Sequence, residues 1–228
     1  MDLNLCLAFL FGLNTLFLFV SSLRIRPTQR VYHYTGFAIN MACHLYYLSC
    51  FLPPITGQEL IVIDSGRYIH WLVVTELILI MMSNLADLDL SNKFILVLFD
   101  FLMIVFGYLA EHAANDLSYY LYLVYSFLCY LPLLFFICED FQHSRCVLMA
   151  GPEMADQYVR LAIFESVIWL AYPFFWLLHR NGVIDMGWTQ IGYSITDILC
   201  KFLFLNYILF YIQPHRCLPD HTRTGSIP

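Results

Sequence analysis

Apolar residues fill long stretches of this chain, and polar residues gather in short intervals between them. A hydrocarbon layer about 30 Å thick takes about 20 residues of helix to cross. Seven stretches reach that length: Leu3–Leu23, Gln29–Phe51, Tyr68–Leu88, Lys93–His112, Leu117–Cys138, Met154–His179 and Trp188–Ile212. Chain-turning residues stand between or beside them, at Pro27, Pro53–Pro54, Gly66, Gly151–Pro152, Asn181–Gly182 and Pro214. No linker or repeat interrupts the pattern, which predicts an all-α membrane protein: one seven-transmembrane-helix bundle over residues 1–228. The first stretch lacks a basic lead-in and a small-residue cleavage site, and is expected to be the first helix rather than a removed leader.

Composition agrees. Hydrophobic residues make up 61% of the 228, charged residues 12%, and the mean hydropathy is +0.70. A soluble domain of this size lacks the polar surface to cover so much apolar material. No basic tail is present, which argues against a nucleic-acid partner. The distribution of cations predicts the orientation: Arg24, Arg26, Arg30, Lys93, Arg145, Arg160, Arg216 and Arg223 follow the first, third, fifth and seventh stretches or open the next one. The positive-inside rule then puts the N-terminus outside and the C-terminus in the cytoplasm, which requires an odd number of spans. The expected location is a plasma membrane or its equivalent. The eight cysteines form no C-x-x-C pair and read as small buried hydrophobes.

Ionisable residues inside a span are costly and point to function. Lys201 lies mid-way along the seventh stretch, with Asp197 one turn earlier on the same face. This pair fits two readings: an ion pair that holds the bundle together, or a desolvated amine that condenses with an aldehyde and is balanced by the carboxylate. The third stretch opens Arg67-Tyr68-Ile69-His70-Trp71, and the sixth contains Trp169-Leu-Ala-Tyr172-Pro173-Phe-Phe-Trp176. Trp169, Tyr172, Pro173 and Trp176 share a helix face. Such a stripe is either packing or one wall of a slot for a flat conjugated ligand.

Taken together, the R-Y-I-H-W, W-L-A-Y-P-F-F-W and D-I-L-C-K segments resemble the signatures of bacteriorhodopsin-like (type 1, microbial) rhodopsins. The correspondence runs without gaps from Arg67 to Gly107 and includes Tyr47 in the second span. The resemblance implies all-trans retinal on Lys201 as a protonated Schiff base, with Asp197 as counterion held by Tyr47 and Tyr172. It implies a pocket formed by Trp71, Thr75, Met103, Gly107, Trp169, Tyr172, Pro173, Trp176 and Cys200, with Ser126 and Pro132 on the fifth span's side. Arg67 would organise charge beneath the Schiff base, and Thr75 would hydrogen-bond Asp100 between spans three and four.

The sequence also departs from that pattern. His70 stands where outward proton pumps of the family carry an acceptor carboxylate, Val74 where they carry Thr or Ser, and Met81 where they carry a proton donor. These changes argue against an outward pump of the usual layout. His70 fits two readings: a neutral imidazole that accepts the proton instead, since its ordinary titration lies near physiological pH, or a side chain that only hydrogen-bonds Asp197 or water. Glu76 and Glu165 are added membrane-depth carboxyls. Each reads first as a carboxyl kept neutral by desolvation, Glu76 then bonding to the second span through His44 or Asn40; alternatively, with His44 and Asn206 the two wet the cytoplasmic half as a candidate ion path. The expected function is therefore light-dependent ion transport, foremost a light-gated channel. The alternatives are an inward proton pump or a photosensor acting through a separate partner. The expected partners are the bilayer, a translocated proton, cation or anion, and further copies of the chain. No enzymatic activity is expected.

Overall fold

The computed structural model describes residues 2–52, 61–143 and 152–212. Pro53–Pro54, Arg145, Cys146, Gly151, Pro214, Arg216, Cys217 and Arg223, used above for boundaries, orientation or the cysteine inventory, lie outside these.

The described chain is a bundle of helices: α1 (Leu3–Ser22), α2 (Arg30–Phe51), α3 (Ile61–Leu85), α4 (Leu90–Glu111), α5 (Asp116–His143), α6 (Pro152–Trp169), α7 (Ala171–Arg180), α8 (Met186–Asp197) and α9 (Phe204–Tyr207). α6 and α7 together form the sixth span, and α8 onward forms the seventh. Among the described residues, six rods are long and apolar enough to cross a bilayer. The remaining rod, α2, is 22 residues long but less apolar, because it turns His33, Asn40 and Tyr47 inward against its neighbours. The molecule is a multi-pass integral membrane protein. α1 packs along α2 and α4 along α5, while α3 joins the two pairs. The outer faces are rich in exposed Leu, Phe and Val, as a lipid-facing surface requires.

Capping residues set several boundaries. Asp2, Asp89 and Asp185 each accept a backbone N–H of the first turn that follows, opening α1, α4 and α8. The fourth span therefore starts at Leu90 and the seventh at Met186, ahead of the predicted Lys93 and Trp188. Asp87 (φ 56°) and Gly182 (φ 69°) make the left-handed turns before those caps. Gly66, expected as a boundary, is instead inside α3, so Arg67 belongs to the helix body rather than its mouth.

Two spans depart from plain helix. The sixth breaks at Leu170 between α6 and α7. Pro173, three residues on, has no N–H to return to the Trp169 carbonyl. The seventh, predicted as one regular helix, contains π-helical turns at Ile198–Leu203 and Ile208–Ile212. α7 and α8 approach closely at Gly192, where a Cβ would fall 2.7 Å from the Phe175 ring.

Candidate functional site

Lys201 lies in the first π-helical turn with none of its surface exposed. Its Nζ is 2.7 Å from Asp197 Oδ1 and 3.1 Å from His70 Nε2. Asp197, itself 1% exposed, is closed in by two phenols: Tyr47 donates to Oδ2 and Tyr172 to Oδ1, both at 2.5 Å. The carboxylate thus gains two neutral donors and one cation, the kind of compensation a buried charge requires. Tyr172 also contacts Cys200 Sγ at 3.2 Å.

The donors and acceptors define the state of His70. An ammonium has protons and no lone pair, so His70 Nε2 is the acceptor in the contact with Lys201. That leaves a neutral imidazole with its proton on Nδ1. The ring stacks on Tyr46 at 4.5 Å and 9°, and Nε2 is 3.9 Å from Asp197 Oδ2. Arg67 lies nearby on α3, buried, its guanidinium 5.1 Å from the centre of the Tyr193 ring.

Beside this cluster is an apolar cavity enclosing about 800 Å³, its open mouth included. Trp71 and Thr75 of α3 line it, with Met103, Ile104 and Gly107 of α4. Leu123, Ser126, Phe127 and Tyr130 of α5 close one side, and Trp169, Tyr172, Pro173 and Trp176 of the sixth span the other. At Gly107, part of the cavity wall, an added Cβ would come into ordinary van der Waals contact with Ser126 and Tyr68, both 3.8 Å away. Thr75 Oγ1 donates to Asp100 at 2.5 Å, tying α3 to α4, and Ser126 donates to the Met103 carbonyl at 2.8 Å, tying α5 to α4. Lys201, Asp197 and Cys200 do not border the cavity. Tyr172 forms the partition, its ring 4.9 Å from Trp71 on one side and 5.4 Å from Lys201 Nζ on the other.

The expected ion path does not assemble as predicted. His44 Nδ1 pairs with the Ala8 carbonyl of α1 at 2.8 Å, and Asn40 accepts from Asn14 at 2.9 Å. Neither meets Glu76, whose Oε2 has no hydrogen-bond partner among the described residues and whose titratable neighbour is Asp100. Asn206 donates to the Phe202 carbonyl within its own helix. Glu165 accepts from Trp169 Nε1 at 2.8 Å. Four polar groups read as one route thus occupy separate sites. Val74 and Met81 are both fully packed, at 0% and 1% exposure.

Sequence reasoning missed Tyr46, Tyr193 and Glu111. Tyr193 packs on Trp71 at 5.3 Å and Tyr172 at 5.9 Å, and Tyr68, at the cavity wall, donates to Glu111 at 2.5 Å. Tyr193 stands four residues before Asp197, so helical spacing alone places it on the same face. Nothing comparable marks Glu111, which lies at the end of a span and reaches across to its partner.

Similarity to known proteins runs the length of the described structure. A sequence model of bacteriorhodopsin-like proteins matches residues 3–213. Archaerhodopsin-1 of Halorubrum ezzemoulense is 29% identical over 147 residues, 64% of this chain and 56% of that protein. Halorhodopsin of Natronomonas pharaonis is 30% identical over 176 residues, 75% of this chain and 58% of that protein. The chain thus spans less than two thirds of the length of these relatives. Among solved structures, the light-driven proton pump of Leptosphaeria maculans superposes with a TM-score of 0.80 at 18% identity, covering 90% of this chain and 92% of that one. Bromide-bound halorhodopsin of Halobacterium salinarum gives 0.80 at 23% identity, with 92% of each chain covered.

Proposed function

Since the chain belongs to the bacteriorhodopsin-like family, we propose that it is a light-dependent ion transporter carrying all-trans retinal on Lys201, and that a proton is the ion handled at that lysine. The observation that carries this reading is the Lys201 amine, fully buried mid-span between a compensated carboxylate and a neutral imidazole. The residues present fit retinal. The slot is apolar, flanked by Trp71 and Trp169, bordered by Gly107, and separated from the amine by a single tyrosine ring. Retinal, when bound, supplies absorption of light and a change of shape in the polyene.

The protein's own residues then have distinct tasks. Trp71, Trp169 and Trp176 confine an extended ligand, and Tyr172 must turn aside or lie along it for the slot to reach Lys201. Asp197, fixed by Tyr47 and Tyr172, stays anionic and balances a cation on the lysine nitrogen. His70 Nε2, already placed as an acceptor at 3.1 Å, receives a proton from that nitrogen once the local geometry changes. Arg67, on the same helix face, disfavours a second cation and so favours onward release of the proton. In the orientation read from the basic residues, this release is toward the outside, and the whole chain acts as one retinal-binding unit.

A light-gated channel is the second reading. It is favoured by polar side chains that α2 buries: Asn40, paired with Asn14 of α1, and His33, which packs edge-on against Phe210 of the seventh span and whose two ring nitrogens have no hydrogen-bond partner among the described residues. Photocurrent measured against voltage in cells given retinal separates the two. Current that keeps its sign at all voltages supports proton transport. Current that reverses at an ion's equilibrium potential supports the channel, and a chain that stays colourless with retinal removes both.

A further inference from the structure

Met81 leaves the third span without a titratable side chain at that position to return a proton to Lys201 from the basic end of the bundle, the end that carries Arg24, Arg26 and Lys93, and the carboxyl of Glu76 on the same span neighbours Asp100 of α4 rather than the lysine. A carboxyl is nevertheless buried near that side of the lysine. Glu165 lies one turn before Trp169 in α6, is 2% exposed, and is within electrostatic reach of Lys201 and Cys200. α6 packs directly against the π-helical turn that carries them. Tyr130 of α5 is its other titratable neighbour, and that hydroxyl is already spent on the Ser166 carbonyl.

The partners of Glu165 indicate its charge. Oε1 accepts one indole N–H, from Trp169 at 2.8 Å, and Oε2 is buried with no partner among the described residues. A carboxylate with one neutral donor lacks the compensation a buried charge requires, whereas a carboxylic acid needs far less. The group therefore holds a proton, carried on Oε2. The same indole forms part of the cavity wall, so a ligand that pushes on Trp169 also acts on the hydrogen bond that holds Glu165.

We propose that Glu165 is the proton donor to the Lys201 nitrogen from the basic end, supplying from the sixth span what Met81 cannot supply from the third. The step is balanced: the Oε2–H bond breaks, an N–H bond forms on Lys201, and the resulting carboxylate remains hydrogen-bonded to Trp169 until it is reprotonated from the medium. With His70 as acceptor on the other side, the lysine nitrogen has a donor and an acceptor on different helices. This inference rests on the retinal assignment to Lys201.

Infrared spectroscopy on the full chain tests it in two stages. Without retinal, the spectrum should contain a protonated-carboxyl C=O band that Glu165→Gln removes and Trp169→Phe displaces, since the indole N–H bonds that oxygen. With retinal, a flash should deplete that same band as the lysine nitrogen regains its proton. In Glu165→Gln the regain should slow by about a hundredfold and become proportional to the proton concentration of the medium. A band untouched by Glu165→Gln, or an unslowed regain in that variant, overturns the donor role and leaves the retinal assignment standing. If Glu165→Gln does not assemble, Trp169→Phe decides: a displaced band supports the role and an unmoved one overturns it. A chain that binds no retinal overturns the assignment, and the donor role with it.

Discussion

Two carboxyl groups lie almost equally deep in this bundle, and the protein treats them in opposite ways. Asp197 receives two phenolic hydroxyls and an ammonium, while Glu165 receives a single indole N–H. Burial is nearly the same, at 1% and 2% exposure, so burial does not set the difference in charge. The number and kind of donors do. A charge is tolerated in the membrane interior where donors converge from several helices, as they do on Asp197 from α2, the sixth span and the seventh. Where one helix supplies one donor, the group remains neutral and keeps a proton available.

The contrast can be tested by substitution. Lys201→Ala should have the largest effect, with complete loss of a visible band after incubation with retinal, read by absorption spectroscopy. Asp197→Asn should come next: it leaves the Lys201 ammonium buried without its counter-charge, a loss of about 3–5 kcal/mol in denaturant titration of the retinal-free protein in detergent. Tyr47→Phe should cost about 1–3 kcal/mol in the same titration, because one carboxylate oxygen loses its donor. Glu165→Gln should cost less than Asp197→Asn by at least about 2 kcal/mol, since an amide oxygen still accepts from Trp169. Equal losses for the two would erase the distinction. Thr75→Val should be smallest, about 1 kcal/mol, through the α3–α4 bond to Asp100.

Much of this architecture was legible in the sequence, because a bilayer leaves the backbone few choices: each crossing segment must satisfy its own hydrogen bonds over a fixed thickness. All seven rods follow from stretch length, and Lys201, Asp197, Tyr47 and Tyr172 follow from the motif pattern. The helix ends were less legible. Asp89 and Asp185 cap by side-chain geometry, which moves the starts of α4 and α8 by two or three residues from the hydropathy pattern. Glu76 shows another limit. Its place on the helix could be read from spacing, but its neighbour is Asp100 on α4 rather than a residue of α2, because helix rotation in the bundle depends on packing across all the rods. The π-helical turns around Lys201 have no composition that distinguishes them from ordinary helix.

Those widened turns bear on how the seventh span tolerates change. A turn closed by i→i+5 hydrogen bonds contains one residue more than the regular ladder needs. Deleting a residue within Ile208–Ile212 would let the segment tighten into ordinary α-helix, with Lys201 and everything before it left in register. The same deletion between Tyr193 and Asp197 of α8 has no such slack, and would swing Asp197 off the face it shares with Tyr193. In an alignment, single-residue gaps in this span therefore belong in the widened turns.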